Sequence, residues 1–216
     1  NSFTDEQLRV FEGVVGALAG EGIHPKLLHA ANSAGALWHP RSRYDMVRIG
    51  IVAYGLPPAS TSPSSAVSPS TAAAAPGLSG DFRPALSFKA QVSYARDLAA
   101  GEGLSYGLHY RLAEPSTVAT VPVGYADGVP RRLSRLGGQV LIGGRRHPMA
   151  GAVTMDQILV DCGPAGTAGV RAGDEVVLIG RQGGEEIAAW EWADRLATIA
   201  YEVTCGLSPR LPRVYA

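Results

Sequence analysis

The chain has 216 residues, 46% of them hydrophobic, which is enough for a sizeable core and for roughly one or two domains. Lys plus Arg and Asp plus Glu number 19 each, so no global charge favours nucleic acid or an anionic membrane, and any charged ligand must be held locally. Cys162 and Cys205 stand far apart without a C-x-x-C or a Cys/His cluster, which points away from zinc or a disulfide framework and toward a reducing cytoplasm. No apolar run approaches the ~20 residues that span a bilayer, and the polar start lacks the basic-then-apolar order of a secretory signal. The chain opens on Asn1 rather than Met, which permits a fragment or a processed product.

In chain order, Thr4-Asp5-Glu6-Gln7 reads as a capping box, after which Leu8, Phe11, Val15 and Leu18 fall on one helical face until Gly20 and Gly22 stop it. Leu27 to Ala31 is a short, mainly apolar run suited to a buried strand, and Ala34 to Trp38 is helix-compatible. Met46 to Val52 is a second strand-like run. Helix, strand, short helix, strand is the order of repeating α/β units with parallel strands, expected over residues 1–56. The composition then shifts to Pro, Ser, Ala and Thr from Leu56 to Gly80, with almost no charge and no periodicity, so residues 57–82 are read as a linker or insertion.

Residues 83–216 carry short β runs punctuated by glycine: Ala85 to Tyr94, Thr117 to Val123, Gln139 to Ile142, Ile158 to Asp161 and Glu175 to Ile179. Gly143-Gly144 is a hairpin turn candidate. A helix over roughly Trp190 to Ala200 interrupts the pattern before a closing strand-like run, Leu211 to Tyr215. This part is expected to be a mostly β domain.

Ser33, with Asn32 before it, sits where a strand gives way to a helix, a position where a hydroxyl and free backbone N–H groups converge on an anion such as phosphate. Gly50 and Ile51, at the end of the next strand, offer N–H groups to the same anion if the two strands are neighbours. The other reading makes Ser33 an N-cap. Arg48 lies among Met46, Val47, Ile49 and Ile51, so its guanidinium is expected to face an interior or cleft and to need a partner there, a structural ion pair being the simpler alternative. Tyr94, Tyr106, Tyr110, Tyr125 and Tyr201 make the second half rich in tyrosine, with Tyr106 and Tyr125 beside glycines in turn-like settings. Each is either a packing residue with a satisfied hydroxyl or a cleft residue, and a base only where nearby charge lowers its pKa from ~10. His29, His109 and His147 show no metal-ligand spacing. The glycine pairs match neither a P-loop nor a dinucleotide fingerprint.

Several segments, in order and spacing, resemble the alanine racemase family: His29-Ala30-Ala31-Asn32-Ser33-Ala34, Met46-Val47-Arg48-Ile49-Gly50-Ile51 with Tyr54-Gly55-Leu56, and Gly101 to Gly107 with Ser105-Tyr106-Gly107. Pro122 to Gly128, Met155-Asp156-Gln157 and Ile199 to Val203 complete the set. The resemblance covers nearly the whole chain outside the Ser/Pro/Ala tract. It implies the C-terminal part of a TIM-type (β/α) barrel followed by a mainly β-stranded domain. It also implies pyridoxal 5'-phosphate as cofactor, alanine as substrate, a homodimer with a site shared between subunits, and a role in supplying D-alanine for peptidoglycan.

Residue by residue, the resemblance assigns the cofactor phosphate to Ser33, to the backbone of Gly50 and Ile51 and to the Tyr201 hydroxyl. Arg48 would face the pyridine nitrogen and, because a guanidinium keeps its protons, leave that nitrogen unprotonated and the ring a weaker electron sink. Tyr106 would be the base for the L-enantiomer, with a lysine serving the D-enantiomer from the other face. The Met155 N–H would contact the substrate carboxylate, and Tyr125 with Tyr201 would narrow the entrance. The family pattern is interrupted in that only Lys26 and Lys89 are present, neither at the place of the cofactor lysine. Ala152 and Thr154 stand where relatives often carry arginine and cysteine. A TIM barrel takes about 250 residues and only the first 60 or so read as α/β units, so the chain alone is expected not to racemise alanine. The alternatives are a decarboxylase of the same architecture, which Tyr106 and Met155-Asp156-Gln157 disfavour, a racemase for another small amino acid such as serine, and a non-catalytic binding or dimerisation remnant.

Overall fold

The computed structural model describes residues 2–58 and 82–215. The chain divides into two compact units, Asn1–Arg83 and Pro84–Ala216. The Pro/Ser/Ala-rich tract lies almost wholly outside the described residues. No helix among the described residues is long and apolar enough to cross a membrane.

In the first unit, α1 (Ser2–Gly20) buries Leu8 and half-buries Phe11, Val15 and Leu18, the face set by the apolar spacing. Thr4 lies inside this helix, not at its cap, because the helix already begins at Ser2. The far end closes as a Schellman motif: the Ile23 N–H donates to the Leu18 carbonyl at 2.9 Å and Gly22 N–H to Ala19 at 3.0 Å, with Gly22 at φ 75°. The two expected strands are not strands. Residues 27–31 and 46–52 run side by side and parallel, but they share a single bridge, His29 to Met46. The reason is local. The Asp45 carboxylate takes the Leu28 N–H and the Ser42 carbonyl takes the Ala31 N–H, so donors that would extend a ladder are used elsewhere. The second segment ends in a 3-10 turn, Ile51–Tyr54, closed by left-handed Gly55.

The strands of the second unit pair antiparallel throughout. The largest sheet has the order β1 (Phe88–Gln91), β9 (Glu175–Gln182), β6 (Gln139–Ile142), β7 (Arg145–Pro148), with β10 (Glu185–Ile187) also paired to β9. A second sheet orders β2 (Tyr94–Leu98), β5 (Ser116–Val121) and β8 (Ile158–Pro164), and a third is the pair β3 (Gly103–Leu104) and β4 (Tyr110–Arg111). β5 and β9 bury runs of consecutive residues, as strands covered on both faces do. Val140, Leu141, Val176, Val177 and Leu178 are wholly buried, and Trp192 packs edge-on against Phe88 at 6.4 Å.

The strand-like run from Ala85 to Tyr94 divides between two sheets. Val92 N–H donates to Asp174 and Ser93 N–H to Thr120, so the chain changes sheet between adjacent residues. Gly143-Gly144 is the two-residue hairpin turn, joining the Ile142–Arg145 pair with φ 59° and 73°, a pair of left-handed values that suits glycine. The helix expected over Trp190 to Ala200 is two helices, α3 (Ala189–Leu196) and α4 (Ala200–Cys205), separated because Ala197 turns left-handed at φ 56°. Leu211 to Tyr215 forms no strand. It finds no ladder partner among the described residues, and Val214 and Tyr215 are exposed.

Candidate active site

In the first unit, Asn32 and not Ser33 caps α2 (Ser33–Trp38): its Oδ1 accepts from the Gly35 N–H at 2.9 Å. Ser33 is therefore released from capping. It is buried, and its Oγ accepts from the Gly50 N–H at 2.9 Å, which brings together the two segments selected for an anion. The N–H groups of Ser33 and Ile51, first in their helical turns, have no partner among the described residues. One hydroxyl and several backbone donors, with no carboxylate among them, make a donor set suited to an anion.

Arg48 is exposed and pairs with no carboxylate among the described residues. Its Nη2 donates to the Ala30 carbonyl at 3.2 Å, and its Nη1 lies 2.5 Å from His29 Nδ1. A guanidinium only donates, so Nδ1 is the acceptor and the imidazole proton sits on Nε2. The ion-pair alternative thus gives way to an imidazole and a carbonyl. His29, assigned no role from the sequence, is the residue that was missed. The register of the two segments, which the sequence does not carry, places position 29 beside 46 and within reach of the Arg48 side chain.

In the second unit, Tyr106 sits at the tip of the hairpin between β3 and β4. Ser105, Gly107 and Leu108 around it have φ of 60°, 78° and 50°. Two of these are not glycine, and left-handed backbone at such residues costs on the order of 1–3 kcal/mol each, so the surroundings must hold the loop. They do so at its base. Ser105 Oγ donates to the Ala152 carbonyl at 2.7 Å, and Leu104 is buried with Leu112, Val118 and Ala150. Tyr106 is left 75% exposed.

Tyr110, four residues on, is a different kind of tyrosine. Its hydroxyl donates to Asp161 Oδ2 at 2.9 Å, and burial together with that carboxylate pushes its pKa up to about 12. It is structural. Tyr94 is exposed on β2.

Tyr125 opens the 3-10 turn Tyr125–Asp127. Its N–H donates to the Thr154 carbonyl at 2.9 Å and Ala126 N–H to the Met155 carbonyl at 3.0 Å, which ties the turn to the 154–157 loop. Gly124 is where the two backbones touch: a Cβ there would lie 2.3 Å from the Thr154 oxygen. Asp127, buried, accepts from the Gly124 N–H at 2.8 Å and from Arg210 Nε at 2.6 Å. Arg210 Nη2 also donates to Asp156 at 2.6 Å. Both carboxylates raise the pKa of the guanidinium, Asp127 first.

Since Ser105 is bonded to Ala152, and the 154–155 backbone to the Tyr125 turn, Tyr106, Met155 and Tyr125 belong to one bonded cluster of loops. Tyr201 is on α4, which reaches the same cluster at its end, where Gly128 lies against the Gly206 backbone. A cavity of about 360 Å³ beside Tyr125 is lined by Val129, Leu196, Glu202 and Val203 among others. Burial raises the pKa of Tyr201. Of the two lysines, Lys89 is engaged with Glu175 at 2.9 Å.

The family model described as alanine racemase, C-terminal domain, matches residues 85–215, and that described as alanine racemase, N-terminal domain, matches 1–58. The chain is 48% identical to an alanine racemase of Symbiobacterium thermophilum over all of its own length and 52% of that protein's. It is 41% identical to one of Nostoc sp., covering 97% of this chain and 50% of the relative. Among solved structures, the alanine racemase of Bacillus anthracis with bound L-Ala-P matches all of this chain and 51% of its own at a TM-score of 0.85 and 39% identity. That of E. faecalis matches all of this chain and 52% of its own at 0.84 and 35%. The chain spans about half the length of the curated relatives it matches. It belongs to the alanine racemase family.

Proposed function

We propose that this chain supplies the Tyr106 face, and the phosphate and ring-nitrogen contacts, of a pyridoxal-phosphate-dependent racemase acting on alanine. The observation that carries the reading is Tyr106, held out on a strained loop whose Ser105 hydroxyl is bonded to the Ala152 carbonyl, in the same segment whose Thr154 and Met155 carbonyls take the Tyr125 and Ala126 N–H groups. Pyridoxal phosphate, when bound, supplies the electron sink that makes an amino-acid α-proton removable. The donor set at Ser33, Gly50 and Ile51 suits its phosphate, with the Tyr201 hydroxyl as a further donor. Arg48, which keeps its protons, would donate to the ring nitrogen and be oriented by His29.

In this reading Tyr106 takes the α-proton of the L-enantiomer, and a lysine outside this sequence exchanges the proton on the opposite face. The Met155 N–H binds the substrate carboxylate. Tyr125 and Tyr201 restrict the entrance to a small side chain. The same reading makes the working protein a homodimer whose site is shared between subunits, located in the cytoplasm and supplying D-alanine for peptidoglycan. The resemblance of the loop cluster to the family supports these assignments, and the solved relative carrying L-Ala-P supports an amino-acid substrate.

The test joins this chain behind the first half of the Symbiobacterium thermophilum relative and measures D-alanine formation from L-alanine. Racemisation is expected from the fusion and none from the 216-residue chain with added pyridoxal phosphate. Tyr106→Phe in the fusion should lower kcat/KM by about a hundredfold or more, since a positioned proton acceptor contributes 10²–10⁴-fold. Exchange of the D-alanine α-proton with solvent should persist in that variant while exchange from L-alanine is lost. A Tyr106→Phe fusion that racemises as fast as its parent would sink the assignment.

A further inference from the structure

We propose that Arg210 is a positioning residue: its guanidinium clamps the Tyr125 turn to the Met155 loop and so sets the width of the substrate-side wall. The inference deepens the proposed function and rests on it for the word substrate, but the clamp stands on geometry alone.

Arg210 uses two separate donors. Nε meets Asp127 Oδ1 at 2.6 Å and Nη2 meets Asp156 Oδ1 at 2.6 Å, so one rigid planar group fixes the separation of two carboxylates on different loops. The two carboxylates are not equivalent. The Asp127 side chain is 6% exposed and the Asp156 side chain 58% exposed. Asp127 is the inner anchor, already oriented by the Gly124 N–H on its other oxygen and connected to the Arg210 segment through the Ser208 N–H on its carbonyl at 3.2 Å. Asp156 is the outer, adjustable anchor, adjacent to Met155 in sequence.

The backbone bonds from Tyr125 to Thr154 and from Ala126 to Met155 join the two loops on one side, and the guanidinium joins them on the other. Two connections fix a relative orientation where one leaves a hinge. A lysine at 210 would reach either carboxylate but could not hold both with two diverging, coplanar donors. Arg210 lies outside every segment that carries the family resemblance, and its hydrogen bonds alone give it its place.

The experiment compares wild type with Arg210→Met, Arg210→Lys and Asp156→Asn in the 216-residue chain, reading amide hydrogen exchange residue by residue. Asp156→Asn is included because it takes the charge from the outer half of the clamp without leaving the buried Asp127 unpaired, so its effect is separate from any loss of stability in Arg210→Met. Exchange at Tyr125 and Ala126 is expected to rise about tenfold or more in Asp156→Asn and Arg210→Met, with Arg210→Lys between them and wild type, while the β5–β8 ladder is unchanged. A rise spread evenly over both, or no rise in Asp156→Asn, overturns the proposal. In the racemase fusion the same Asp156→Asn change should raise KM for alanine by about tenfold with kcat altered less. If exchange rises locally and KM does not move, the clamp does not serve substrate binding and that part of the proposal falls. A wild-type fusion that fails to racemise counts against the proposed function, and the exchange measurement then decides the clamp by itself.

Discussion

The two units of this chain hold themselves together by different means. In the second, strands pair along continuous registers and Val140, Leu141, Val176 and Val177 are shut off from solvent. In the first, two parallel segments share one bridge, the buried hydrophobic set is Leu8, Ala31, Ala36, Leu37, Ile51 and Leu56, and Phe3, Val10, Val14, Ile23 and Leu27 remain exposed. Hydrophobic burial scales with the apolar area removed from water, so the second unit carries its own stability and the first leaves much of its apolar surface unused. The division also separates chemistry. Backbone donors and a guanidinium gather in the unit with the thin core, and tyrosines on braced loops gather in the unit with the dense one.

The largest effect that tests this contrast is dissection. Residues 84–216 expressed alone should unfold in one cooperative transition by circular dichroism, whereas residues 2–58 alone should show none. A cooperative transition in the short piece would break the comparison. Next is truncation of single side chains: Leu141→Ala should cost about 2–5 kcal/mol, whereas Val14→Ala, on an exposed face of α1, should stay within ~0.5 kcal/mol, both by denaturant titration of the whole chain.

A smaller effect concerns pH. The Tyr110 pKa of about 12 in the folded protein lies above the ~10 of an unfolded chain, so the stability it confers is full below pH ~10 and is lost as pH rises through about 12. The stability difference between wild type and Tyr110→Phe should therefore shrink between those two values. An unchanged difference across that window would remove the Asp161 hydrogen bond as its source. Least costly to the fold is a thiol count. Exposed Cys205 should react with a disulfide reagent at pH 8, and Cys162, buried with its pKa pushed up to about 11, only after denaturation.

Legibility in the sequence followed the same division. Gln139 to Ile142 and the Gly143-Gly144 turn were readable because a short apolar run and a left-handed pair are local signals, and the structure has both at those residues. Leu27 to Ala31 read as a strand on apolarity alone. Whether such a run joins a ladder depends on its neighbours, and here Asp45 and Ser42 had claimed the donors. The break at Ala197 was hidden because alanine gives no warning of a left-handed turn. Ser33, Gly50 and Arg48 could be selected by residue type and position, but His29 and Arg210 could not. Each has its place through a partner 19 to 83 residues away, and sequence spacing carries no such information.

Gly124 leaves a last consequence. With the Thr154 and Met155 carbonyl oxygens 2.3 and 2.4 Å from where a β-carbon would stand, this position has no room for even the smallest side chain. In a saturation library it should appear as a column with a single surviving letter. Because the opposing atoms are backbone, side chains at 154 and 155 can be exchanged freely of this constraint, and the whole of it falls on residue 124.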